Sequence, residues 1–303
     1  MKKILFTCVF VCLILYSCFY PEITIEASKN GIFIWFHQIL PALLPFTILS
    51  AVLLKSNFIH SLKGNGNIVA ILITMICGFI FGFPIGAKLS SDFYKNNLLT
   101  EKQATILSIS ANNFSPMYVC GFALPALFGS NSYNYITYLL IYFLPLLLAA
   151  MFLIFTYKKE NKQTHKKMTS QFHLNMQIMD AGIISGFETL IKICGYIVLF
   201  SIIADILSRL WINPPFIWNV LLENLEITNG IHLLSECTLS ESSKYVTAIQ
   251  LLSFGGISGL AQTASLFANS GLSTYKYIIG KVVLSLLLTL LSVIYVSCFI
   301  LQL

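Results

Sequence analysis

The chain has 303 residues, 57% of them hydrophobic and only 10% charged, with a net charge of +6 and a mean hydropathy of +0.81. A soluble domain carries roughly a quarter charged residues, so a soluble fold is excluded; the apolar runs are continuous rather than alternating, which excludes a β-barrel. Nor is the charge a nucleic-acid footprint, because five lysines fall in one stretch, 158–167.

What remains is an all-α polytopic membrane protein, with segments that reach the ~20 residues needed to cross a bilayer as helix. Residues 1–20 place Lys2 and Lys3 before an apolar run. A cleaved signal peptide has this form too, but the apolar rest of the chain favours an N-terminal transmembrane helix. Cytoplasmic loops carry an excess of Lys and Arg. That puts the N-terminus and a basic loop at 158–175 in the cytoplasm. Segments 32–54, 68–83 and 134–156 then cross in turn, and 86–130 must leave and return on one side. The second half opens with a span over 186–208, running opposite to 32–54.

Two stretches resemble each other. Residues 86–116 read "GAKLSSDFYKNNLLTEKQATILSISANNFSP" and residues 230–259 read "GIHLLSECTLSESSKYVTAIQLLSFGGISG". Each opens on Gly, places an acid soon after (Asp92, Glu236), and passes through a polar patch into an "ILS" or "LLS" run that ends in a polar or glycine-rich break. Flanking apolar runs match in the same order. The reading is an inverted-repeat transporter-like fold with two re-entrant or broken-helix hairpins. Its first repeat covers 21–157, with a hairpin at about 86–130. Its second covers 176–303, with a hairpin at about 230–272.

The breaks are the informative part. A helix interrupted inside a bilayer leaves unpaired backbone groups, tolerated only inside protein or beside a wet cavity. There the free N–H groups and the helix dipole favour an anion. Asn112, Asn113 and Ser115 supply donors and acceptors at the first break, with Pro116 enforcing it. Gly255, Gly256 and Gly259 allow the second, and Ser258, Gln262 and Thr263 supply its polar contacts. "GFPIGAK" adds Gly82, Pro84 and Gly86 as backbone hinges and Lys88 as a cation for an anionic substrate. "LENLEITNG" offers Glu226, with Thr228, as a group that couples transport to a proton or cation or pairs with Lys88. Glu223 reads as interfacial, and Asp92 and Glu236 as solvated hairpin charges. Small residues at such places also serve plain helix packing.

The eight cysteines form no CxxC pair and no zinc spacing, and read as small buried hydrophobes. No metal or cofactor is expected. "GISG" (256–259) matches a serine-protease motif of intramembrane enzymes, but no His follows Ser258, and a nucleophile without a base is no catalytic site. The chain is therefore expected not to be an enzyme.

Taken together, "EASKNGIFIWFHQILPALLPF", "GFPIGAK", "NNFSP", "LENLEITNG" and "GGISGLAQTAS" resemble the YlbJ-like sporulation integral membrane proteins of the nucleoside-recognition, or Gate-domain, group, over roughly residues 20–300. The resemblance implies an endospore-forming bacterium and a place in the outer forespore membrane. It also implies the movement of dipicolinic acid from mother cell toward forespore. The expected partners are a small anionic substrate such as dipicolinate, the lipid bilayer and a coupling proton or cation. A nucleoside or ion transporter, or a non-transporting scaffold for spore assembly, are the alternatives. Oligomeric state is not legible.

Overall fold

The computed structural model describes residues 2–58, 66–129, 135–160, 172–209, 216–268 and 270–300. Most of the basic loop, Lys63, and the Pro214–Pro215 pair lie outside them. All regular structure among the described residues is helical, and the chain is an all-α polytopic membrane protein. Among the described residues, three helices are long and apolar enough to cross a bilayer: Tyr135–Ile154, Met176–Arg209 and Thr274–Cys298. Their outward faces confirm the environment. Phe143, Leu147 and Ile154 on one helix, and Leu286 and Leu290 on another, are each more than half exposed, a stripe that suits lipid and not water.

The N-terminal segment forms α1 (Lys2–Phe19), which meets α2 (Pro21–Ile34) at a bend of 110°. A π-turn at Trp35–Ile39 leads into α3 (Leu40–Lys55). His37, in that turn, is exposed and packs on the rings of Phe33 and Phe36. After α4 (Gly66–Phe81) come two short helices, α5 (Ile85–Lys95) and α6 (Glu101–Ser110). Thr100 caps α6 in a reciprocal box with Gln103, which satisfies two of its free N–H groups. α7 (Pro116–Phe128) and α8 (135–160) complete this half, each with a π-turn inside it.

The second half repeats the order with fewer residues. α9 (Met176–Arg209) is one long helix. α10 (Phe216–Glu223), α11 (Ile227–Glu236), α12 (Glu241–Phe254), α13 (Gly256–Phe267) and α14 (Thr274–Tyr295) follow. Thus α4 to α8 and α10 to α14 run through the same succession: helix, break, short helix, hairpin turn, helix, break, helix, long helix. The contacts between halves are exchanged likewise. α7 packs on α11 while α13 packs on α5.

α9 lies along α2 and α3, and glycines make that approach close. A methyl group at Gly182 would come within 2.3 Å of the Val52 side chain, and one at Gly186 within 2.8 Å of Ile48. Small residues at such seams let helices associate in lipid, where no hydrophobic force draws them together. The cysteines depart from the reading as buried residues. Cys77, Cys120, Cys194 and Cys237 are half-buried, and Cys12, Cys18 and Cys298 are exposed. In a bilayer an exposed thiol meets hydrocarbon, so the surface is no penalty for it.

Candidate functional site

α4 stops at Gly82, whose φ of +65° would strain any side chain. The Cβ of a larger residue there would stand 2.3 Å from the backbone nitrogen of Ser115. The two breaks of the first half therefore touch, and the Phe83 N–H donates to the Asn113 carbonyl at 2.6 Å. At the next turn Gly86 lies under the Ala111 carbonyl, which would be 2.2 Å from an added Cβ. α6 ends at Ser110, residues 111–115 are irregular, and α7 restarts with Ser115 as its cap, the Ser115 hydroxyl accepting from the Tyr118 N–H. Pro116 at the first helical position has no N–H to leave unpaired.

In the second half the two breaks also touch, through backbone hydrogen bonds. The Ile257 and Ser258 N–H groups, at the start of α13, donate to the Asn224 and Leu225 carbonyls at 2.7 and 2.9 Å. Gly255 links α12 to α13 in the left-handed region, at φ +88°. Glu226 caps α11: its carboxylate accepts from the N–H groups of Thr228 and Asn229 at 3.0 and 2.9 Å and from the Thr228 hydroxyl at 3.2 Å. A carboxylate at a helix N-terminus is stabilised by those donors and by the dipole.

The breaks close around one cavity. From the first half, Phe83, Phe114, Ser115 and Tyr118 line it; from the second, Glu226, Thr228, Ser258, Gly259 and Gln262 do. Its volume is about 40 Å³, room for a few water molecules. The walls are mixed. Phe114 and Tyr118 are stacked with ring centres 4.7 Å apart, and Phe83 lies 5.9 Å from Phe114. The Gln262 amide donates to the Ser258 hydroxyl at 3.1 Å, while its buried carbonyl oxygen has no hydrogen-bond partner among the described residues. Because the Thr228 hydroxyl proton serves Glu226, the Tyr118 hydroxyl is the donor in its 3.2 Å contact with Thr228. That contact joins the two halves across the cavity.

Of the residues expected to bind substrate, Ser115, Ser258 and Gln262 reach the cavity wall, together with Glu226 and Thr228. Asn112, Asn113 and Thr263 lie behind it. The Asn112 amide donates to Tyr277 and Thr263, and its oxygen accepts from the Ala87 N–H. The Asn113 amide donates to the Ser110 and Ile141 carbonyls. These side chains are spent on two hydroxyls, on the Ala87 N–H and on the carbonyls of Ser110 and Ile141, rather than on the cavity. Lys88 is half-buried and donates to the Thr189 hydroxyl at 3.4 Å, on α9, away from the cavity and from Glu226. Glu223 is buried rather than interfacial, at 6% exposure, and its Oε2 has no partner among the described residues.

One residue was not anticipated. Lys281, in the middle of α14, is 1% exposed, and its ammonium donates to the Asn112 carbonyl at 3.1 Å and to Asn113 Oδ1 at 3.0 Å. The signal was present in the sequence. Lys281 is the sole charged residue from 277 to the C-terminus, and a lone ionisable group in a span is functional more often than not.

The sporulation integral membrane protein YlbJ of Bacillus subtilis (strain 168) is 25% identical to this chain over 311 aligned positions, which cover 86% of this chain and 75% of that protein. No family model matches, and no solved structure matches.

Proposed function

We propose that this chain, which belongs to the YlbJ-like sporulation integral membrane proteins, carries a small planar anion across a membrane through the cavity between its helix breaks. The substrate of this reading is dipicolinate, moved from mother cell to forespore at the outer forespore membrane, with the N-terminus cytoplasmic and the two repeats inverted. The observation that carries it is the convergence of both broken hairpins on one cavity. Backbone irregular at membrane depth survives where it lines such a space, and transporters place their sites at the junction of two repeats.

The chemistry of the wall supports the substrate class. The stacked rings of Phe114 and Tyr118, with Phe83 beside them, suit the faces of a flat aromatic ring. Ser115, Ser258 and Gln262 suit polar substituents at its edge. The cavity as it stands is too small for such a molecule, so the structure is a closed form, and loading requires the two hairpins to part. Glu226 decides the coupling. A carboxylate beside a dianion is repulsive at low dielectric, so in this mechanism Glu226 takes up a proton before the anion binds and returns it on release. The Thr228 hydroxyl and the Thr228 and Asn229 N–H groups hold its carboxyl group, and Tyr118 in turn holds the Thr228 hydroxyl.

The test is uptake of labelled dipicolinate into liposomes containing the purified protein, with and without an inward proton gradient, and with a nucleoside as competitor. Wild type is expected to take up dipicolinate faster with the gradient, and Glu226→Gln to lose that acceleration. Uptake no greater than in protein-free vesicles would overturn the reading, and block by the nucleoside would move it to the nucleoside class.

A further inference from the structure

The ammonium of Lys281 raises a question that the cavity does not answer. It is buried in a span, where a charge is expensive unless it is paired. Yet the ion pairs formed among the described residues, Arg209–Asp205, His232–Glu236 and Lys276–Glu101, do not include it. Both of its partners are neutral oxygens, the Asn112 carbonyl and Asn113 Oδ1. They stand just past the last turn of α6, where the helix dipole is negative and carbonyls are left without partners. Unwound carbonyls and half-helix C-terminal ends are the groups with which membrane proteins hold small cations.

We propose that the 111–113 break is a monovalent-cation site and that the Lys281 ammonium is its covalently attached occupant. α14 serves both halves in this respect. One turn beyond Lys281, the Ser285 hydroxyl donates to the Gln250 carbonyl at 3.2 Å and receives a hydrogen bond from Ser253, near the end of α12. There a neutral hydroxyl suffices, because α12 ends in a left-handed glycine that turns the chain without exposing a ring of carbonyls. At the first break no glycine is available, and the charge on α14 supplies what the backbone lacks. The ligand class is a small monovalent cation bearing N–H donors or a thin hydration shell, of which methylammonium is the nearest copy of the lysine tip. The assignment concerns the stability of the break and holds whether or not the cavity carries substrate.

The experiment removes the tether and offers the cation back. Purified Lys281→Ala is unfolded by heat in detergent while methylammonium chloride is added, with choline chloride as the ionic-strength control. The variant is expected to melt lower than wild type and to be raised, saturably, by methylammonium and not by choline. Wild type and Lys281→Met, whose side chain fills the space, are expected not to respond. Absence of a selective methylammonium effect on Lys281→Ala, or an equal effect on wild type, would overturn the assignment. If Lys281→Ala does not accumulate, Lys281→Gln decides, because it keeps hydrogen-bond donors and loses the charge. A melting temperature about 5 °C or more below wild type supports a cation site; one equal to wild type shows a hydrogen-bonded strut and refutes it.

Discussion

The break after α6 and the break after α12 hold matching places in the order of elements, and they are closed by different chemistry. The first uses side chains. Asn112 and Asn113 bridge Tyr277, Thr263, Ser110 and Ile141, and Lys281 joins them from α14. The second uses the backbone, with Gly255 in the left-handed region and two N–H groups of α13 on the carbonyls after α10. A helix can thus be stopped inside a membrane by a polar network or by a glycine. The network fixes its geometry through many partners at once, whereas the glycine leaves its link open, with no atom within 4 Å of an added Cβ at Gly255. If the chain cycles as proposed above, the second break is the one free to move.

The two halves are alike at a pair of tightly packed glycines. An added Cβ would lie 2.2 Å from the Ala111 carbonyl at Gly86 and 2.1 Å from the Glu223 carbonyl at Gly230. Both contacts are with backbone, which cannot swing aside. Gly86→Ala and Gly230→Ala are each expected to lose more than about 3 kcal/mol in an SDS unfolding titration. A small loss at either would show that its half packs more loosely than described.

The two breaks differ in what a substitution removes. Asn113→Ala strips a donor from two buried carbonyls and an acceptor from Lys281, and is expected to cost about 2 kcal/mol. Gly255→Ala meets no clash and bears only the left-handed backbone penalty, about 1 kcal/mol, with Gly255→Asn recovering part of it. Equal losses in the same titration would mean that the two breaks are held equally firmly. Smallest is the exposed Lys276–Glu101 pair, which ties α14 to α6 at 2.6 Å. Lys276→Ala is expected to change stability by less than about 0.5 kcal/mol, in contrast to the buried Lys281 one turn away on the same helix.

These contrasts also show what the sequence could tell. Membrane class is a bulk property, and the apolar fraction carries it. The places where helices end are local, and residues such as Pro116, Gly82 and Gly255 mark them through dihedral limits that need no tertiary context. Which polar side chains reach the cavity is a different matter. Asn112, Asn113 and Ser115 are near neighbours in the chain, yet only Ser115 faces the cavity, because the asparagine amides go to carbonyls on α6 and α8 and to Tyr277 on α14. That division depends on packing between distant helices. Lys281 is hard to read for a related reason: it sits in an unbroken helix, far along the chain from the first break, although α14 is where that break finds its support.

The role of the cavity is tested most directly by filling it. Gly259 lines the space, and an added Cβ there would meet only the Phe83 ring, at 3.8 Å. Within helix α13, Gly259→Ala is also expected to hold or raise stability, since alanine gives up less chain entropy than glycine. Dipicolinate uptake by proteoliposomes is expected to fall from wild type to Gly259→Ala to Gly259→Val while the folded fraction stays constant. Undiminished uptake in folded Gly259→Val would place the path elsewhere in the molecule.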